Sequence, residues 1–234
     1  MILVSQKRWQ TAQKEEKQYC YHSSDQNYHS MNTFFIKNFF VDTEFFGNQS
    51  ILEVGCSPAA TIHGINKSHL NVGIDPLSKE WTRLYERNTC HIQGMGEYLP
   101  LKNEFFDAIL CINTLDHVQA PCGVLKEIRR CLKEKGNLFL WVQTFSTLKI
   151  VRKFLYLIDV PHPHHFTDNE IKRLLHEMGY QINYHQCKKA DILSALSVIK
   201  AGMIFSGVKS LLANLFLGLH ESSFLCSKDG EQET

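Results

Sequence analysis

Ile51-Leu52-Glu53-Val54-Gly55-Cys56-Ser57, followed twenty residues after Gly55 by Asp75 in Val72-Gly73-Ile74-Asp75, is the stretch on which the fold turns. Ile51 to Val54 is short and apolar, as a buried strand is, and Gly55 to Ser57 is a tight turn of small residues. Val72 to Asp75 repeats the strand character and ends on a carboxylate. Doubly wound α/β sheets hold nucleosides with this arrangement. Small residues let the backbone approach the ligand, and the distant acid accepts hydrogen bonds from a ribose. Ser57 and Ala59 stand where a full motif has glycine. Taken alone, Gly55 is also compatible with an ordinary turn and Asp75 with a helix cap.

Working outward, strands alternate with helices. The phenylalanines of Met31 to Phe40 recur at helical spacing and predict an amphipathic helix. Strands are expected at Ser50–Gly55, Asn71–Asp75, Cys90–Gln93, Phe106–Ile112 and Asn137–Thr144. A helix from Ser78 to Arg87 follows the second strand, with Ser78 as its cap. Pro121 opens another that runs to Lys133, with Gly136 as its C-cap. Thr167-Asp168-Asn169-Glu170 is a capping box for a helix ending at Gly179. Gln181–Cys187 and Ser222–Ser227 resume strand character. The pattern predicts a Rossmann-like α/β fold with a mostly parallel sheet, covered by helices on both faces. Residues 1–46 read as an N-terminal helical cap segment, and 47–234 as the main domain.

The segment 190–219 breaks the alternation. It is apolar and helical in character, but Lys200, Gly202, Gly207 and Lys209 interrupt it, and a spanning helix needs about 20 nearly uninterrupted apolar residues. It is expected to be a helical insertion packed on the domain or on a second copy, as in a homodimer. The alternative is a helix resting on a membrane surface, a peripheral membrane contact.

Composition narrows the classes. The 234 residues are 44% hydrophobic and 21% charged, enough for a sizeable core. The formal net charge is +1 with no basic run, so a protein whose main task is gripping a nucleic-acid backbone is not expected. The eight cysteines form no Cys-x-x-Cys pair, which argues against a zinc ribbon or redox dithiol. They read as reduced core residues. Met1 to Trp9 lacks the order of a signal peptide, and both features lead to the expectation of a cytoplasmic setting.

Three further segments join the first: Gly94-Met95-Gly96-Glu97-Tyr98-Leu99-Pro100-Leu101, then Phe106 to Val118 leading into Pro121 and Leu125 to Leu132, then Lys135-Gly136-Asn137-Leu138-Phe139-Leu140. In this order and spacing the set resembles the small-molecule branch of the class I S-adenosylmethionine-dependent methyltransferases, over roughly residues 50 to 142. The resemblance implies a seven-stranded sheet whose last strand is antiparallel, with the cofactor S-adenosyl-L-methionine over the carboxyl ends of the first strands. It places Glu53 near the methionine end of the cofactor, with Gly55, Cys56 and Ser57 beneath it. Asp75 matches the acid for the ribose hydroxyls, Pro76 lies beside the adenine, and Met95 and Gly96 match the adenine-edge loop. Asn113 lies where the fourth strand delivers backbone to the cofactor. The family often has a carboxylate where Met95 stands. Asp107 reads as structural, and Glu127 with Arg129 as a solvated helix face.

A second constellation is Pro161-His162-Pro163-His164-His165-Phe166-Thr167. Imidazole titrates near neutrality, so His162, His164 and His165 are candidates for the catalytic base of an acceptor hydroxyl. They also suit hydrogen bonds to backbone, or a metal held with Asp116 or His117. No metal is assigned, and His117 reads as structural. The loop resembles that of methyltransferases of surface-polysaccharide pathways, which implies a small-molecule or glycan-type hydroxyl acceptor. Nucleic-acid amino groups are not expected as acceptors, since Asn113-Thr114-Leu115 replaces the motif typical of that chemistry. A reading of another class stands beside the enzyme: a binding or scaffolding protein that keeps the fold with weakened catalysis, favoured by Ser57, Ala59 and Met95.

Overall fold

Short runs of apolar residues that cannot satisfy their backbone alone pair side by side, and here they form one seven-stranded sheet. The computed structural model describes residues 4–22, 31–57, 60–81, 89–147, 152, 155–156, 159–190 and 218–229. The strands are β1 (Ser50–Val54), β2 (Leu70–Asp75), β3 (Cys90–Gln93), β4 (Phe106–Ile112), β5 (Leu132–Phe145), β6 (Tyr180–Lys189) and β7 (Leu219–Lys228). Their order across the sheet is β3-β2-β1-β4-β5-β7-β6. The first five run parallel, and β7 lies antiparallel between β5 and β6. β1 is buried along its whole length and β2 along all but its first residue, as strands covered on both faces must be.

Helices cover both faces, as the alternation predicts. The helix α1 (Gln6–His22) leads the chain. The helix α2 (Met31–Phe39) packs Phe35 and Phe39 onto one face, against Ile51 of β1, Leu110 of β4 and Phe139 of β5. On the other face lie α3 (Pro121–Cys131) and α4 (Asp168–Glu177), which bury Val124, Leu125 and Ile128, and Ile171, Leu174 and Leu175. The capping box of α4 is present in both directions: Thr167 accepts from the Glu170 amide, and Glu170 accepts from the Thr167 amide.

Several boundaries differ from the sequence reading. α3 stops at Cys131 and β5 begins at once at Leu132, so Gly136 lies within the strand and caps no helix. A Cβ at Gly136 would stand 2.8 Å from Leu132 Cδ1 and 3.0 Å from the Asp107 carbonyl oxygen, so close packing is what requires glycine there. After β2 a single 3-10 turn, Ser78–Trp81, is described, and it starts at Ser78. Residues 82–87 of the expected helix lie outside the described residues, as do 191–217 of the expected insertion with its membrane or second-copy contact. Among the described residues no helix is long and apolar enough to cross a membrane. Cys56, Cys90, Cys111, Cys122, Cys131, Cys187 and Cys226 are free thiols.

Glu127 and Arg129 do more than face solvent. Glu127 accepts from the Leu99 amide at 2.9 Å and from Arg130, and Arg129 donates to the Gly179 carbonyl at 3.1 Å. Asp107 is structural as read, accepting from the Ser50 amide at 3.0 Å and from Lys133 at 2.8 Å.

Phe139 is fully buried, and its ring centroid lies 5.2 Å from that of Phe39 and 5.2 Å from that of Phe46. Truncation there removes a large apolar group and its edge-to-face partners. Phe139→Ala is expected to destabilise the fold by about 3–5 kcal/mol in urea unfolding.

Candidate functional site

A cleft of about 400 Å³ opens at the carboxyl ends of β1, β2 and β4. Parallel sheets bind ligands at this end, where neighbouring loops diverge. Gly55 turns the chain out of β1 with φ +81°, a conformation that favours glycine. A Cβ on Gly55 would also overlap the Thr114 side chain, so strand and loop meet here without room for a larger residue. Ser57 is not among the non-glycine residues with positive φ, so its side chain brings no left-handed strain. Asn113 is among them, at φ +49°, with its amide on the Trp141 carbonyl at 2.8 Å. Asparagine is one of the few side chains that tolerates this geometry.

Of the residues expected to hold a nucleoside ligand, Glu53, Gly55, Ser57 and Asp75 line this cleft. Pro76, Met95, Gly96 and Asn113 line it too. Cys56 does not: its side chain turns to the opposite side, fully buried, with Sγ 3.8 Å from His63 Nε2 and 3.8 Å from His91 Nδ1. Ala59 lies outside the described residues. The N-terminal helix reaches the same cleft, since Trp9, Gln13 and Glu16 of α1 form part of its wall. Arg8 anchors this helix by donating to the carbonyls of Tyr156 and Asp159, each at 2.9 Å. The sequence gives no local sign of this packing.

Two buried acids dominate the electrostatics. Glu53 accepts from the amides of Ile62 at 2.7 Å and Thr61 at 3.3 Å, and so caps the 3-10 turn Thr61–Gly64. Burial pushes its carboxyl from 4.5 up to about 7, against the pull of these hydrogen bonds. Asp75 accepts from the Leu77 amide at 2.7 Å. Burial again, and the neighbouring Glu16 carboxylate, push it from 3.8 up to about 7. A cleft that holds two acids out of water favours a ligand bearing positive charge or hydrogen-bond donors.

The histidine loop packs beside this cleft rather than into it, and none of His162, His164 and His165 is among its lining residues. His164 is buried with Nε2 2.9 Å from the Val118 carbonyl oxygen, a backbone tie. His165 and His162 hold the two oxygens of Asp159, at 3.0 Å and 2.9 Å. The imidazole that does line the cleft is His117, which the sequence reading had made structural. Its ring lies 4.5 Å from that of His162. Its Nδ1 sits 3.1 Å from the Pro161 carbonyl oxygen, which can only accept, so Nδ1 is the donor of that pair. Nε2 and the Asp116 Oδ1 3.9 Å away are buried and have no hydrogen-bond partner among the described residues. The same holds for Trp141 Nε1 on the cleft wall. These unpartnered atoms were missed because only the packing of β4, β5 and the loop brings them together.

Comparison with known proteins agrees with this geometry. A sequence profile for the family described as "Methyltransferase domain" matches residues 30–185. An uncharacterized protein of Methanocaldococcus jannaschii is 33% identical over 121 residues, 47% of this chain and 51% of the relative. A ubiquinone biosynthesis O-methyltransferase of Aliivibrio fischeri is 26% identical over 119 residues, 47% of this chain and 49% of the relative. The chain thus spans about half the length of the curated relatives it matches. Among solved structures, a geranyl diphosphate C-methyltransferase of Streptomyces coelicolor has the same fold. It was solved with Mg2+, geranyl diphosphate and S-adenosyl-L-homocysteine. The match has a TM-score of 0.65 at 10% identity, over 80% of this chain and 78% of the other.

The two acids generate a pH prediction. Both folded-state values lie above the ordinary 3.8 and 4.5, so up to about 7 the folded state binds more protons than the unfolded chain. Their stabilising contribution is complete below the ordinary values and is lost as pH rises through about 7. In urea unfolding at a series of pH values, Glu53→Gln and Asp75→Asn should each flatten this decline. Unchanged slopes in both variants would mean that the acids are not held in this state.

Proposed function

The chain belongs to the class I S-adenosylmethionine-dependent methyltransferases, and on that premise we propose that it methylates a hydroxyl of a small, sugar-type acceptor with His117 as the base. The observation that carries this reading is a single cleft lined by both Asp75 and His117, whose buried Nε2 has no hydrogen-bond partner among the described residues. S-adenosylmethionine, when bound, supplies a methyl group already activated on a sulfonium.

The residues present suit that group. Asp75 would accept from the ribose hydroxyls, and Pro76 and Met95 offer apolar surface to the adenine. Glu53, capping the turn below, sets a negative field that favours a cationic ligand. Ser57 in place of glycine leaves the Gly55 turn intact. Residues 1–46 act as a cap on the domain 47–234, which the wall formed by Trp9, Gln13 and Glu16 supports.

On the acceptor side, His117 Nε2 would take the hydroxyl proton as the new bond forms, and Pro161 would keep the ring in that tautomer. Asp159 orients His162 against the His117 ring, so His162 is a positioning residue, and His164 and His165 hold the loop. A polyhydroxyl acceptor answers to the unpartnered Trp141 donor and the unpartnered ring nitrogen of His117, since each hydroxyl can both give and accept a hydrogen bond. Trp9, Phe34 and Trp141 add flat apolar walls.

One observation favours a second reading. Ligand atoms of Asp116, His117 and His162 lie within 4.8 Å of one another, so a divalent cation held there would activate the acceptor hydroxyl in place of the free base.

Asp75→Ala should abolish cofactor binding in calorimetry while the fold survives. No detectable binding to the parent protein at millimolar cofactor would favour a scaffolding role over the enzyme. His117→Ala should lower kcat about 100-fold or more with cofactor affinity preserved. Activity that survives a chelator supports the free base. Activity lost to the chelator and restored by a divalent cation supports the metal.

A further inference from the structure

Away from the cleft, on the far side of the Gly55 turn, three soft ligands converge from three elements. Cys56 leaves the end of β1, His63 sits on the 3-10 turn Thr61–Gly64, and His91 stands on β3. Their ligand atoms all lie within 4.8 Å of one another, and the two sulfur–nitrogen distances are 3.8 Å. A tetrahedral zinc site, with bonds of about 2.3 Å to sulfur and about 2.0 Å to nitrogen, sets sulfur and nitrogen about 3.5 Å apart. A shift of a few tenths of an ångström would bring each sulfur–nitrogen pair to that spacing.

The surroundings are built for this cluster. Gly73 on β2 pairs with His91, and a Cβ at Gly73 would overlap the Cys56 side chain and press on the His91 ring, so only glycine leaves the space open. Cys56 is fully buried, His63 is 3% exposed and His91 is half-buried, which protects two ligands and leaves one side within reach of solvent. A thiol has one proton and can donate it to only one of the two ring nitrogens at a time. A cation would engage all three atoms at once.

We propose that Cys56 Sγ, His63 Nε2 and His91 Nδ1 form a structural site for zinc, with water at the fourth position. On binding, the thiol proton passes to solvent and the cation joins β1, the 3-10 turn and β3 directly beneath the Gly55 turn. The site is separate from the histidine loop and independent of the proposed methyl transfer, so either reading can fail without the other.

Cobalt(II) titration of the metal-free full chain tests it, because a thiolate ligand gives a charge-transfer band in the near ultraviolet. The Asp116, His117 and His162 cluster has no sulfur and cannot produce that band. One equivalent of cobalt should bind with the band present. Cys56→Ser should remove it, and His63→Ala and His91→Ala should each weaken binding about tenfold or more. Zinc should raise the thermal midpoint of the parent protein and leave that of Cys56→Ser unchanged. Cys90→Ser is the control, since Cys90 precedes His91 on β3 and its side chain points to the opposite face. Circular dichroism of the metal-free variants establishes that they fold, and if Cys56→Ser does not, the half-exposed His91→Ala decides the matter. Absence of the band, its persistence in a His63→Ala and His91→Ala double variant, or its loss in Cys90→Ser would overturn the proposal.

Discussion

A carboxylate placed at the buried end of a central strand must find hydrogen-bond donors, and Glu53 finds them in the amides of Thr61 and Ile62. That requirement organises the surrounding chain. It draws the 3-10 turn back beneath β1 and obliges Gly55 to turn sharply out of the sheet. An isolated buried carboxylate costs several kcal/mol, so the two amides are needed for the strand to end there at all. The cleft follows from this one constraint, because β1 and β4 converge at Gly55 and Thr114 while the loops beyond them part.

The sheet is held from both sides by unlike cores. One is aromatic, with Phe35, Phe39, Phe46 and Phe139 interlocked in edge-to-face and tilted contacts; the other is aliphatic, built from α3 and α4 on the strands. The pairing of β5 with β7 is fastened by polar contacts instead. Thr144 of β5 meets Ser222 of β7 at 2.8 Å in a buried hydroxyl pair, and Ser222 donates on to Asp168 at the start of α4. Such a network fixes the register of β7 where apolar packing alone would permit a slip.

What could be read from the sequence was what is local. The apolar strands, the capping box at Thr167 and the Gly55 turn with its distant acid carry their signals within a few residues. Gly136 misled because glycine after a helix suggests a cap, whereas here it answers to Leu132 and the Asp107 carbonyl across the sheet. The histidines of 162–165 drew attention as a cluster, yet packing gives His164 to a backbone carbonyl and turns His117 into the cleft. Cys56, His63 and His91 are separated by a turn and a strand, and only the pairing of β2 with β3 sets them together. Spacing in sequence cannot report contacts that depend on sheet order.

That order has a consequence for how the chain is made. β6 joins the sheet through β7 alone, and β7 follows it in the chain only after residues 191–218. While a ribosome is still adding residues 191–218, β5 presents an open edge and β6 has no partner. The five parallel strands and their helices can assemble during this interval, but two rows of unpaired amides and carbonyls stay exposed to other chains. Insertion of β7 between them closes both rows in one step. Protection of both rows from aggregation therefore waits on β7, and the time taken to add residues 191–218 sets how long they stay open.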